Sequence, residues 1–170
     1  MTAIEQTSVF NVEASLNAYV AAQLATITRP AWLTTMPGIV SLPIESAASL
    51  PAFSFHHLPV GIYNRWQGRA VGGSQKGRRA VGIMEVDCWV TRSSTHWEAQ
   101  RRTMKDMVLM VLNRASEVVI ADYEADTSSP AATSYLVRWL ETQMPQTAHD
   151  PNPDIERARI LATYTWVYRS

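Results

Sequence analysis

Apolar residues recur at helical spacing in two parts of the chain. They lie three or four positions apart over residues 12–27 and again over residues 97–115, which predicts two amphipathic helices. Asn11 is well placed to cap the first helix, and Thr95 with Glu98 matches the Ser/Thr-x-x-Glu capping box ahead of the second. The pattern therefore predicts both helices and the residue at which each begins.

Five other segments are rich in β-branched and aromatic residues and are predicted to be strands. They are residues 53–62, 84–91, 118–124, 134–141 and 158–169. In the first of these, Phe53 and Phe55 are at odd positions, whereas Leu58 and the apolar residues that follow it are at even positions. In a regular strand the two sets would face opposite sides. We therefore expect a bulge near His57 and Pro59, which would keep both apolar sets on one face of the sheet.

These elements follow the order helix, two strands, helix and three strands, which predicts an α+β fold. The expected architecture is a two-layer sandwich, in which a mostly antiparallel sheet carries a long protruding β-hairpin and both helices pack on one face. A chain of 170 residues with 46% hydrophobic content can bury one sizeable core, so residues 1–170 are predicted to form a single domain. Prolines between positions 30 and 51 indicate an extended strap after the first helix.

Residues 65–80, RWQGRAVGGSQKGRRA, contain five basic residues and four glycines without one acidic residue. The whole chain is balanced, with 15 Lys and Arg against 15 Asp and Glu, so this excess predicts a positive hairpin loop on a neutral body. It favours a negatively charged partner, which is either nucleic acid or the acidic face of another protein. The alternative is a solvated loop tip that makes no specific contact.

Nine residues of this hairpin are candidates for a subunit interface or a contact with DNA. One hypothesis is that Arg78 and Arg79 contact acidic residues of an adjacent subunit, which lie on the outer face of the returning strand. A second hypothesis places the other basic residues along a lumen that DNA traverses. Two tryptophans are candidate interface anchors, expected to be exposed. The full set is Arg65, Trp66, Arg69, Lys76, Arg78, Arg79, Glu85, Asp87 and Trp89.

The chain lacks the signatures of common enzymes. P-loop, Gly-x-Ser-x-Gly and His-Glu-x-x-His patterns are absent, so neither catalysis nor a cofactor is expected. His56 and His57 are adjacent on a strand and face opposite sides, which argues against a shared metal site. Cys88 alternates with apolar residues and is expected to be a small buried residue of the core. No apolar run reaches the length of a membrane span and no export signal opens the chain, so a soluble, intracellularly made protein is expected.

Two stretches of the chain are informative together with the order of its elements. They are VGIMEVDCWVTRSSTHWEAQRRTMKDMVLMVL and ERARILATYTWVYRS. In this layout the chain resembles the tail terminator (tail completion) proteins of long-tailed bacteriophages. The likeness extends over nearly the whole chain and rests on layout rather than on a diagnostic motif. It implies a structural protein of the virion tail or neck, assembled in the host cytoplasm and without an active site. It also implies a hexameric ring that caps the tail tube, stops its polymerisation, and binds the tube protein below and the head-tail connector or neck protein above.

The chain departs from that layout in its long 142–154 loop and its unusually basic hairpin tip, and other functions remain as alternatives. A head-tail connector, or neck adaptor, would form a twelvefold ring. A monomeric nucleic-acid-binding module would use the basic loop and Trp66, with strongly salt-dependent binding. The third alternative is a small enzyme with an unrecognised site.

Overall fold

The computed structural model describes residues 9–31, 33, 37–39, 50–58, 65–70, 76–121, 134–146 and 152–169. Within these residues the chain forms two helices and seven strands. In chain order they are α1 (Val9–Ala25), β1 (Gly38–Ile39), β2 (Ala52–Leu58), β3 (Arg65–Ala70), β4 (Lys76–Thr91), α2 (Trp97–Asn113), β5 (Glu117–Ala121), β6 (Ser134–Gln143) and β7 (Ile155–Arg169). Both predicted helices and all five predicted strands are present in the described part of the chain, whereas most of the predicted strap lies outside it.

Six of the described strands form one curled sheet in the order β1, β2, β4, β7, β6, β5. Every pairing in it is antiparallel except that of β1 with β2, which is parallel. The seventh strand, β3, pairs antiparallel with β4. The fold is α+β, as the order of helical and extended patterns predicts.

The core lies between the two helices and one face of the sheet. Strand residues that alternate with outward-facing ones point to this face, and the apolar stripes of both helices complete a single buried cluster. The helical members are Val12, Leu16, Val20 and Leu24 of α1 and Met104, Met107, Val108, Val111 and Leu112 of α2. These buried residues have the helical spacing from which the two helices were predicted. Burial of their apolar surface against the sheet therefore stabilises both segments as helices.

Both predicted helix caps are wrong. The first helix begins at Val9, so Asn11 lies inside its first turn. The second has His96 as its N-cap and no side-chain capping bond, so the Thr95 to Glu98 capping box does not form. Backbone turns lead into this helix instead, because the N–H groups of Ser94 and Trp97 donate to the carbonyls of residues three positions earlier at 3.2 Å. The second of these turns satisfies the Trp97 N–H, one of the groups that a Thr95 cap was expected to serve.

The predicted bulge near His57 is also absent from the described part of β2. Pairing with β4 runs without a shift from Ala52, opposite Trp89, to Leu58, opposite Ile83. The change of apolar parity is accommodated differently, because Leu58 lies on the face away from the helices and is half-buried there. Pro59 and the residues up to 64 lie outside the described part of the chain.

Gly82 of β4 is needed for the packing of the core. It is paired directly with Tyr164 of β7, whose buried ring lies over the glycine. A Cβ atom added at Gly82 would meet the Tyr164 ring, at 2.9 Å from Cε1 and 2.5 Å from the phenolic oxygen. The ring cannot retreat easily, because Trp139 contacts it edge-on with a centroid distance of 5.9 Å.

Replacing Gly82 with alanine should therefore destabilise the protein by about 1–3 kcal/mol through overpacking. The matched control is Gly38→Ala, since a Cβ at Gly38 meets no atom within 4 Å. It should change the free energy of unfolding by less than about 0.5 kcal/mol. Urea unfolding followed by tryptophan fluorescence measures both variants, and equal stability of the two would contradict the packing role of Gly82.

Candidate functional site

The basic hairpin brings several predicted candidates onto paired strands. Arg65 lies opposite Arg79 and Trp66 lies opposite Arg78, and Ala70 pairs with Lys76 after an irregularity in the register. Residues 76–79 of β4 pair with β3 and with no other described strand. The interface roles of Arg65, Trp66, Arg69, Lys76, Arg78 and Arg79 stay predictions.

Glu85 and Asp87 form a charged cluster on the sheet face away from the helices. The guanidinium of Arg159 donates from Nε to Asp87 Oδ1 and from Nη2 to Asp87 Oδ2, both at 2.9 Å. Its Nη2 also lies 2.9 Å from Glu85 Oε1, and Arg157 Nη1 lies 3.4 Å from Asp87 Oδ2. The Asp87 side chain is only 1% exposed. Two carboxylates of β4 are thus clamped to two arginines of β7.

The electrostatics of this cluster follow from burial and mutual contact. Burial raises the pKa of Glu85, the negative charge of Asp87 raises it further, and Arg159 partly opposes both. The hydrogen bond to Asp87 raises the pKa of the Arg159 guanidinium. Asp87 and Arg159 therefore form a bidentate ion pair, and Glu85 lies beside it.

The predicted contact of Arg78 and Arg79 with Glu85 and Asp87 of a neighbouring subunit is not supported. Both carboxylates are buried, and both form ion pairs with Arg159 of their own chain. A signal for this was present in the sequence, because the alternate basic residues of ERARI match the alternate acids of MEVD. Only the register between the two strands, which pairs Asp87 with Arg159, turns that signal into a contact.

Trp89 was expected to be exposed, and this expectation is wrong. The side chain is 4% exposed, and its indole N–H donates to the Ser54 hydroxyl at 2.8 Å. The guanidinium of Arg157 lies over the ring, 5.2 Å from its centroid. Cross-strand neighbours on both sides therefore bury this tryptophan on the outer face of the sheet, where alternation alone predicted exposure.

The two ends of the sheet carry exposed apolar side chains that sequence reasoning did not single out. No described strand pairs with the outer edge of β5 or of β1. On these edge strands Val119 is 56% exposed and Ile39 is 52% exposed. Leu140 and Met144, on and just after β6, are also exposed. Exposed apolar residues on unpaired strands are typical of surfaces that associate with another chain.

His57 lies in a polar contact between α1 and the sheet. Its Nε2 is 2.9 Å from Asn17 Oδ1, and its Nδ1 is 3.4 Å from the Tyr164 hydroxyl. Burial lowers the pKa of His57 to about 4, and the charge of His56 contributes in the same direction. His56 is exposed on the opposite side, as predicted from strand alternation. Cys88 is buried as predicted, and burial raises the pKa of its thiol.

In the described residues, no group of three or more His, Cys, Asp or Glu is placed to hold a metal ion. None of the described helices is long and apolar enough to cross a membrane. No protein family matches the chain, and no curated protein matches its sequence.

Proposed function

We propose that this chain is a structural virion protein of a long-tailed bacteriophage, a tail terminator. Copies of it would form a ring on the end of the tail tube, stop the tube from growing, and provide the surface that joins the tail to the head connector. The observation that carries the proposal is the pair of open sheet edges, β5 and β1, with the exposed side chains of Val119 and Ile39.

Two different edges at opposite ends of one sheet favour a head-to-tail contact. Edge β5 of one copy would lie against the β1 side of the next, so that each copy uses both of its edges. Such a contact is heterologous, and it closes into a ring when the rotation between copies divides a full turn. Closure leaves no copy with an unpaired edge, which is how a protein with open strands avoids indefinite aggregation. We propose six copies, in keeping with the resemblance.

The basic hairpin would serve the second part of this function. In a two-layer sandwich the β3 and β4 strands would protrude beyond the sheet, because residues 76–79 pair with β3 alone among the described strands. With Arg65 opposite Arg79, a negatively charged neighbour would stabilise the hairpin. That neighbour would be an acidic surface of the tube or connector protein, or the phosphates of DNA in the lumen.

Native mass spectrometry and negative-stain imaging of the purified chain test the ring. We expect a closed hexamer, which Val119→Lys should dissociate, because a lysine on an edge strand opposes pairing. Loss of about 1.4 kcal/mol at a junction weakens it roughly tenfold. The matched control is Met110→Lys, since Met110 is 60% exposed but lies on α2, away from both edges.

The possible results separate the functions. A hexamer that Val119→Lys breaks and Met110→Lys retains supports the terminator. A twelvefold ring indicates the neck adaptor instead. A monomer that binds DNA with a steep salt dependence and does not bind tube tips indicates the nucleic-acid-binding module and overturns the proposal.

A further inference from the structure

The exposed side of the first turns of α2 carries two adjoining depressions of about 290 and 280 Å³. They share Glu98 and Arg102, and together we call them the α2 groove. The first is lined by Glu98, Arg101, Arg102, Lys105 and Ala158, and the second by Thr95, His96, Trp97, Glu98, Ala99 and Arg102. Among the described lining residues, Arg101, Arg102 and Lys105 are thus three basic side chains beside one carboxylate, that of Glu98.

One of these cations, Arg101, is positioned by contacts with other residues of the chain. Arg101 Nη1 lies 3.6 Å from Glu156 Oε2, and Arg92 donates to the other oxygen of the same buried carboxylate. Both guanidiniums also stack on Trp97, at 5.4 Å for Arg101 and 5.8 Å for Arg92. Since an ion pair and a ring contact together hold the Arg101 guanidinium, its position on the groove wall is set before a ligand binds.

The other two cations are not neutralised by contact. Neither Arg102 nor Lys105 forms a hydrogen bond or an ion pair with another described residue. By contrast, Arg138, Arg157 and Arg159 are each paired with a carboxylate in the described part of the chain. The groove therefore retains positive charge that a carboxylate can offset through charge-assisted hydrogen bonds.

We propose that the α2 groove binds an acidic peptide segment of a partner protein. An acidic peptide fits better than nucleic acid because Glu98 lies on the wall that both depressions share. A polyphosphate would bring further negative charge to Glu98, whereas a peptide offers carboxylates to Arg102 and Lys105 and an N–H or hydroxyl donor to Glu98. This site does not depend on ring formation, and it would function in a monomer as well.

Fluorescence anisotropy with the full chain tests the groove. The probe is a labelled eight-residue peptide of alternating glutamate and serine, compared with its glutamine counterpart and with labelled octathymidylate. The double variant Arg102→Glu with Lys105→Glu should bind the acidic probe at least about tenfold more weakly. The control is Arg114→Glu, because Arg114 is exposed at the opposite end of α2, where it donates to Gln23.

The double variant places new acids near Glu98 and Asp106, so its fold is checked by circular dichroism. Arg102→Gln with Lys105→Gln gives the same test without like-charge repulsion. Selective binding of the acidic peptide that either variant weakens and Arg114→Glu does not weaken supports the proposal. Absence of peptide binding, binding that both variants retain, or tighter binding of octathymidylate than of the acidic peptide would overturn it.

Discussion

Replacing Asp87 with alanine should lower the free energy of unfolding by about 3 kcal/mol at pH 7. The substitution removes the buried carboxylate that accepts two hydrogen bonds from Arg159 at 2.9 Å. The Arg159 guanidinium then retains Glu85 as its acidic neighbour. Removing one partner of a buried pair costs more than the pair contributes, because the remaining charge stays partly desolvated. Arg159 retains some contact with water, so the low end of the usual range is expected.

The matched control is Glu117→Ala. Glu117 also accepts from an arginine across two strands, with Arg138 Nη2 at 2.7 Å, but both side chains are exposed. A pair of this kind contributes at most about 1 kcal/mol. Urea unfolding of both variants at low and high salt gives the comparison, and high salt should weaken the Glu117 contribution in particular. Similar small losses for Asp87→Ala and Glu117→Ala would show that the buried cluster does not clamp β4 to β7.

The sequence predicts the helices well because their apolar stripes are local. Residues such as Leu16 and Val108 are buried where the helical period places them. The ends of the helices are harder to predict, because His96 becomes the N-cap through backbone turns that begin at Thr91. A side chain that can cap a helix is needed there only when the preceding chain leaves the first N–H groups of the helix unsatisfied.

The charged cluster shows why the candidate site was only partly predictable. Alternation correctly places Glu85 and Asp87 on the face away from the core. Their burial depends on Arg157 and Arg159, which lie about seventy positions away and meet them only through the register of β4 with β7. Alternation within one strand carries no information about its neighbours, so exposure was predicted where packing occurs.

The sheet edges are a third case. Local pattern identifies β5 as a strand but does not determine its place in the sheet. Its position at one end follows from the pairing of β7 with both β4 and β6, which joins distant parts of the chain. Val119 is therefore an ordinary apolar strand residue in the sequence and an exposed edge residue in the structure.

Lowering the pH should destabilise the protein through His57. The pKa of this imidazole is about 4 in the folded protein, against an ordinary value of 6.5. Well above pH 6.5 the group is neutral in both states and adds nothing to the pH dependence of stability. Between pH 6.5 and 4 the unfolded chain takes up the proton first, so stability falls as the pH falls, and the loss levels off below pH 4. Linkage gives a loss of about 2 kcal/mol by pH 5 and about 3 kcal/mol at completion.

The groups around His57 allow its contribution to be isolated. Asn17 of α1 and Tyr164 of β7 contact it without titrating in this range, and Glu13 is the nearby group that titrates in the opposite sense. Burial raises the pKa of Glu13, so its protonation favours the folded state as the pH falls. Comparing His57→Gln with the wild type subtracts this opposing effect, because both proteins keep Glu13 and also His56, whose charge lowers the pKa of Glu13.

His57→Gln should therefore be less stable than the wild type at pH 7.5 but should lose about 2 kcal/mol less on acidification to pH 5. His56→Gln is the matched control on the exposed side of the same strand, and it should keep most of the wild-type acid loss. Urea unfolding at half-unit steps of pH measures all three proteins. Parallel stability curves for His57→Gln and the wild type would mean that a different group senses the acid. Convergence of the two curves toward pH 5 would instead locate the proton at the contact between α1 and β2.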